Sequence, residues 1–94
     1  MRREKLTSEE LRAELDKLEG WESKDDMIVR RLKFANFAES LAFVNKVGEL
    51  AEAADHHPDI TFGWGYAEIA LTTHDRGGVT DFDFELARKM DAIQ

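Results

Sequence analysis

Cysteine is absent from the 94 residues, proline occurs once, and no apolar run approaches the length of a membrane span. The missing cysteine excludes disulfides and thiolate chemistry, and it leaves any structural zinc site to histidine and carboxylates. It also fits the cytoplasm, the compartment expected here. A bilayer span needs ~20 consecutive apolar residues, so no membrane partner is expected. The opening "MRREKLTSEELRAEL" has basic residues but no apolar stretch behind them, and it does not read as a signal peptide. Positive charge is in the minority: 13 Lys and Arg against 20 Asp and Glu give a net −7. That balance argues against direct nucleic acid binding, where neutralising phosphates supplies most of the free energy. The small basic cluster of Arg30, Arg31 and Lys33 reads as a solvated strand edge. Histidine is scarce as well, with three in all, two of them adjacent in "DHHP".

The 43% apolar and 35% charged content is that of a folded globular protein. The length suits a single domain over residues 1–94, burying only roughly 60–65% of its unfolded surface, so an oligomer interface would be a natural supplement. Thr7 and Glu10 announce a first helix by a capping box, Leu11, Leu15 and Leu18 repeat along it, and Gly20 stops it. "WESKDDMIVRRLKF" reads as a hairpin turning at Lys24-Asp25-Asp26. Asn36 with Glu39 opens the longest helix, which runs to about Ala54. Its stripe of Phe37, Leu41, Val44, Gly48 and Ala51 is widened by Phe43, Val47, Leu50 and Ala54. An apolar arc near half the circumference predicts a helix that packs on a sheet and touches something else. Strands follow at "ITFGW" and "YAEIALTTH", and Thr80 with Asp83 caps a last helix over "DFDFELARKMDAI". The order α-β-β-α-β-β-α predicts an α+β fold, a four-stranded antiparallel sheet with helices packed on one face.

Pro58 forces the backbone out of the helix at or before His57. In an extended dipeptide neighbouring side chains diverge, so His56 and His57 do not grip one ion together. Glu52, at the margin of the long helix one turn before His56, is placed to hydrogen-bond an imidazole, or is an ordinary border residue. His74 falls at a strand mouth, as a site residue or a solvated end. Asp83 lies within the apolar arc of the last helix and needs a partner or a cavity, unless the Thr80 cap satisfies it. Phe84 points away from that arc, as an interface residue would. Gly63 and Gly65 flank Trp64 inside an expected strand, a pattern of a flat indole wall or of a bulge. Trp21 is read as core or as pocket lining. There is no nucleophile elbow, no phosphate loop and no HExxH spacing. A metal held by His56, His74 and a carboxylate lacks a supporting motif. Imidazoles flanked by carboxylates and aromatics leave metal-free acid–base chemistry on a planar heterocycle as the reading of the residues.

Glu52, then His56-His57-Pro58, then Trp64, then His74 ending "LTTH", then Asp83 in "DFELA" resembles the pterin-4a-carbinolamine dehydratase family. The resemblance extends through "GWE", "FANFAESLAFVNKV" and "THDRGGVTDFDFELA", nearly the whole chain. It implies dehydration of 4a-hydroxytetrahydropterins to quinonoid dihydropterin, recycling the pterin of aromatic amino acid hydroxylases, with no metal or organic cofactor. By carry-over, His56 and His74 are the general acids, His57 holds the pterin and helps with the ring proton, Glu52 orients imidazoles, and Asp83 closes the site near His74. Trp21 and Trp64 become pocket walls, and Asp55 and Thr73, which flank the histidines, join His57 among substrate-binding positions. The resemblance also implies a homodimer or homotetramer. "TFGWGY" is richer in glycine than the animal members, which leaves the natural pterin open. The competing class is a non-catalytic interaction module, a dimerisation cofactor or assembly factor on the same scaffold. A metal hydrolase comes third.

Overall fold

Alternation of apolar and polar residues along a strand gives a sheet one dry face. The fourth strand carries this pattern most clearly, with Ala67, Ile69 and Leu71 buried between less buried neighbours. In the computed structural model, which describes residues 4–93, the elements are α1 (Ser8–Leu15), β1 (Trp21–Lys24), β2 (Met27–Lys33), α2 (Phe37–Ala54), β3 (Asp59–Gly63), β4 (Tyr66–Leu71), a 3-10 turn (His74–Arg76) and α3 (Asp81–Ala92). The order is the expected one. The sheet runs β1-β2-β4-β3 and is antiparallel throughout. Its register sets Ile28 opposite Leu71, Leu32 opposite Ala67, and Ile60 and Phe62 opposite Ile69 and Ala67. These residues form the core with Phe43 and Val47 of α2 and Phe84, Leu86, Ala87 and Met90 of α3. Arg31, Glu68 and Thr61 make one cross-strand row of the opposite face, where the Arg31 guanidinium lies 4.4 Å from the centre of the Tyr66 ring.

The caps hold as hydrogen bonds. Glu10 N–H donates to Thr7 Oγ1, and Thr7 N–H to Glu10 Oε1. At α2, Glu39 N–H donates to Asn36 Oδ1, whereas the Glu39 carboxylate reaches back to the N–H of Ala35. The expectations failed at three places. "GWG" is not strand interior: β3 stops at Gly63, which pairs with Tyr66, and Trp64-Gly65 is the hairpin turn between them. Gly65 has φ +82°, a conformation costly for residues with a Cβ, and Trp64 is 72% exposed. The strand expected to reach His74 ends at Leu71, because Thr73 pairs with Gly78 and folds the chain back. Phe84 is buried, not outward. α3 has neighbours on several sides, with Arg88 bonded to Glu14 of α1 and Asp91 bonded to the sheet, so one stripe does not exhaust its buried surface.

The packed stripe of α2 is Ser40, Phe43, Val47 and Ala51. Phe37 and Leu41 of the expected stripe remain exposed in the single chain. Trp21 belongs to the core, and its indole N–H donates to Asp91, which also accepts from Arg30 at 2.5 Å. One carboxylate thus pins α3 to β1 and β2. Removing an acceptor from partly buried donors costs about 1–3 kcal/mol. Asp91→Ala is therefore expected to lower unfolding stability by that amount in urea titrations followed by tryptophan fluorescence. An unchanged midpoint would show that the cluster is only surface decoration.

Candidate active site

The register sends five segments to one end of the sheet: the end of α2, the start of β3, the end of β4, the start of α3 and the β1–β2 turn. α2 stops there for a local reason. Asp55 takes the left-handed conformation at φ 49°, His56 N–H donates to Ala51 C=O at 3.1 Å, and Asp55 N–H to Glu52 C=O. This is the double bond pattern that closes helices, with an aspartate where glycine is usual. Pro58 then prevents any return to helix. The reversal carries the two imidazoles apart, as the extended-chain argument expects.

His56 turns inward. Its Nε2 lies 2.5 Å from Oδ1 of Asp83, a fully buried carboxylate. Asp83 Oδ2 accepts the Thr73 hydroxyl at 2.8 Å and the Thr80 backbone N–H at 2.9 Å. The Thr73 and Thr80 hydroxyls are themselves 2.8 Å apart, and Thr80 Oγ1 accepts from Phe82 N–H. Both readings of Asp83 from its helix position therefore apply, since it closes the helix cap and also serves the histidine. The ring of Phe82 stands 6.5 Å from that of His56, centre to centre. His56 Nδ1 has no protein partner among the described residues.

His57 turns outward and pairs through Nε2 with Glu52, both groups exposed. Glu52 thus reaches the second histidine, not His56. Asp83 correspondingly holds His56, although the sequence had associated it with His74. His74 follows Thr73 directly, its carbonyl accepts from Gly77 N–H, and its exposed ring makes no hydrogen bond among the described residues. It borders an open hollow of about 330 Å³ with Asp25, Asp26, Thr72 and Gly77.

Other expected substrate contacts lie elsewhere. Trp21 is in the core on Asp91. Trp64 occupies the turn at the opposite end of β3 from His57, so within one chain it cannot wall the same site. Thr73 is buried, with its hydroxyl taken up by Asp83 and Thr80, and Asp55 shapes the turn. Two contributors escaped the sequence reading: the Thr80 hydroxyl, visible there only as a cap, and the Asp25-Asp26 turn, visible only as hairpin punctuation. No group of three or more His, Asp or Glu side chains is arranged to hold a metal ion among the described residues.

Comparison with known proteins agrees with the resemblance. The family model described as pterin 4 alpha carbinolamine dehydratase matches residues 4–93. A relative from Rubrobacter xylanophilus is 52% identical over 94% of this chain and 83% of its own, and one from Picosynechococcus is 48% identical over 95% and 97%. Both are provisionally named pterin-4-alpha-carbinolamine dehydratase. Among solved structures, a transcriptional coactivator/pterin dehydratase from Brucella melitensis superposes with a TM-score of 0.90 at 36% identity, covering 95% of this chain and 97% of that one. A pterin dehydratase-like protein described as a RuBisCO assembly factor in the alpha-carboxysome gives 0.64 at 27%, covering 78% and 84%.

The two carboxylate–imidazole pairs differ in weight. Asp83→Ala leaves buried donors from three segments unpaired and is expected to cost about 3–5 kcal/mol. Glu52→Ala removes an exposed pair worth at most about 1 kcal/mol. Denaturation midpoints of the two variants check the contrast, and equal losses would contradict it. Asp55→Gly should match or raise the native midpoint, because the left-handed region costs an L-residue about 1–2 kcal/mol more than glycine. A fall on that substitution would mean that the Asp55 side chain makes a contribution the turn geometry does not explain.

Proposed function

The chain belongs to the pterin 4 alpha carbinolamine dehydratase family, and from that premise we propose that it is a hydro-lyase acting on 4a-hydroxytetrahydropterins. The observation that carries the reading is His56, gripped through Nε2 by a buried carboxylate while Nδ1 has no partner among the described residues, with His74 following directly on Thr73, a ligand of that same carboxylate. The reaction needs both halves of proton transfer. The carbon–oxygen bond at C4a breaks, the hydroxyl departs as water with a proton from an acid, and a base takes the ring-nitrogen proton as the carbon–nitrogen double bond forms. Imidazoles can give and accept protons near neutrality.

His56 and His74 are the general acids in this reading. The Asp83 contact orients the first, and the openness of His74 allows it to meet substrate. His57, on the outward side and paired with Glu52, holds the pterin and assists with the ring proton. Acid–base groups of this kind contribute ~10²–10⁴-fold, enough for a carbinolamine that already loses water unaided. Pterin recycling for an aromatic amino acid hydroxylase in the cytoplasm, by a homodimer or homotetramer, completes the proposal.

A second reading is a non-catalytic interaction module. It is supported by the exposure of Phe37, Leu41 and Trp64 and by the likeness to a protein described as an assembly factor. The two separate in one assay, the ultraviolet decay of freshly generated 4a-hydroxytetrahydropterin. The native protein is expected to accelerate it, and His56→Ala with His74→Ala to abolish the acceleration, in a variant that is less stable because Asp83 loses a donor but that circular dichroism still shows folded. No acceleration by folded native protein would sink the dehydratase reading in favour of the interaction module.

A further inference from the structure

Three buried hydroxyl and carboxylate groups stand behind His56, and their protons can be placed by elimination. Thr73, Thr80 and Asp83 are essentially inaccessible, so water does not complete their hydrogen bonding. No buried side-chain nitrogen or oxygen is left unpaired among the described residues. The Thr80 oxygen already accepts from the N–H of Phe82. Its own proton therefore has one acceptor within reach, Thr73 Oγ1 at 2.8 Å. With that lone pair occupied, Thr73 must give its proton onward, and Asp83 Oδ2 at 2.8 Å receives it. The Thr80 backbone N–H donates to the same oxygen and cannot be reversed. Two donors thus converge on one side of a carboxylate that serves as acceptor throughout. The remaining oxygen faces His56 Nε2 at 2.5 Å, where an ionised Asp83 can only accept and the proton in the contact belongs to the imidazole.

We propose that the Thr80-to-Thr73 hydroxyl relay is a positioning device that selects the tautomer of His56. It keeps Nε2 protonated and makes Nδ1 the exchangeable nitrogen, which gives up a proton as acid when the ring is cationic and is bare when the ring is neutral. The inference rests on the dehydratase reading only for its catalytic consequence. The tautomer itself is a property of the resting protein. Thr73 and Thr80 touch no reacting atom and act through Asp83. The relay gives the site a directional order: backbone N–H of Phe82, Thr80, Thr73, Asp83, His56. A reversed relay would strand the Thr80 proton in a dry interior, which costs about 1–3 kcal/mol. Packing therefore decides which ring nitrogen meets the substrate.

The test is nitrogen-15 NMR of the histidine rings in the full chain, at a pH where His56 is neutral, with no ligand added. The native protein is expected to show a protonated Nε2 and a bare Nδ1 for His56. A bare Nε2 in the native protein overturns the proposal without any variant. Thr73→Val, which keeps the shape and deletes the hydroxyl, should move His56 toward a mixture of tautomers. Thr73→Ser should restore the native pattern. A folded Thr73→Val that keeps the native His56 pattern also overturns it. In the decay assay, Thr73→Val is expected to lose roughly tenfold in kcat with KM little changed, part of the ~10²–10⁴ available to acid–base groups. If the native protein shows the tautomer but no turnover, the relay stands and the dehydratase reading falls.

Discussion

One buried charge organises this protein. The Asp83 carboxylate has no exposure, and a charge in that position is tolerated only when every lone pair is addressed. Its donors come from His56 just past α2, Thr73 at the end of β4 and Thr80 at the start of α3. Satisfying it therefore requires the long helix, the central strand and the last helix to arrive together. The fold-back from Thr73 to Gly78 serves this requirement by bringing the second threonine beside the first. Stability and the proposed chemistry rest on the same hydrogen bonds, and the proposed acid cannot be loosened without loosening the junction of three elements.

The other end of the sheet is built on different terms. Trp64 stands on a two-residue turn, and Phe37 and Leu41 show apolar surface at the start of α2. Phe37 packs on Phe62 at 5.6 Å between ring centres, so the patch is anchored from beneath. The division is clear in one helix: the beginning of α2 offers apolar surface, and its end delivers the two histidines. A scaffold arranged this way can support proton transfer at one end and association at the other. That arrangement suits a family whose neighbours are described both as a dehydratase and as an assembly factor.

The legible parts of the sequence were those where a local rule acts alone. Thr7 with Glu10 and Thr80 with Asp83 marked helix starts because a cap involves residues three apart. The alternation of Ala67, Ile69 and Leu71 marked the dry face of the last strand, and Pro58 marked the break after the histidines. "GWG" was harder, because a glycine pair in a hydrophobic stretch fits a bulge as well as a turn. The difference was settled by the partner of Gly63, which is Tyr66. Phe84 failed for a related reason. Its angle on the helix was right, but the number of neighbours around α3 is not written in its periodicity.

The sequence by itself determined the order of elements, the sheet's buried face, the exclusion of thiol chemistry and the set of residues able to move protons. All of these follow from side-chain chemistry and from spacings of a few positions. Only the tertiary structure decided the pairings. Asp83 went to His56 and Glu52 to His57, Trp21 went to Asp91 in the core, and Trp64 went to the far turn. Contacts such as Trp21 to Asp91 and His56 to Asp83 join positions distant in the chain, and they are fixed by register and by the demand that buried polar groups be satisfied. That demand has no local signature, because it arises only when the elements close on one another and exclude water.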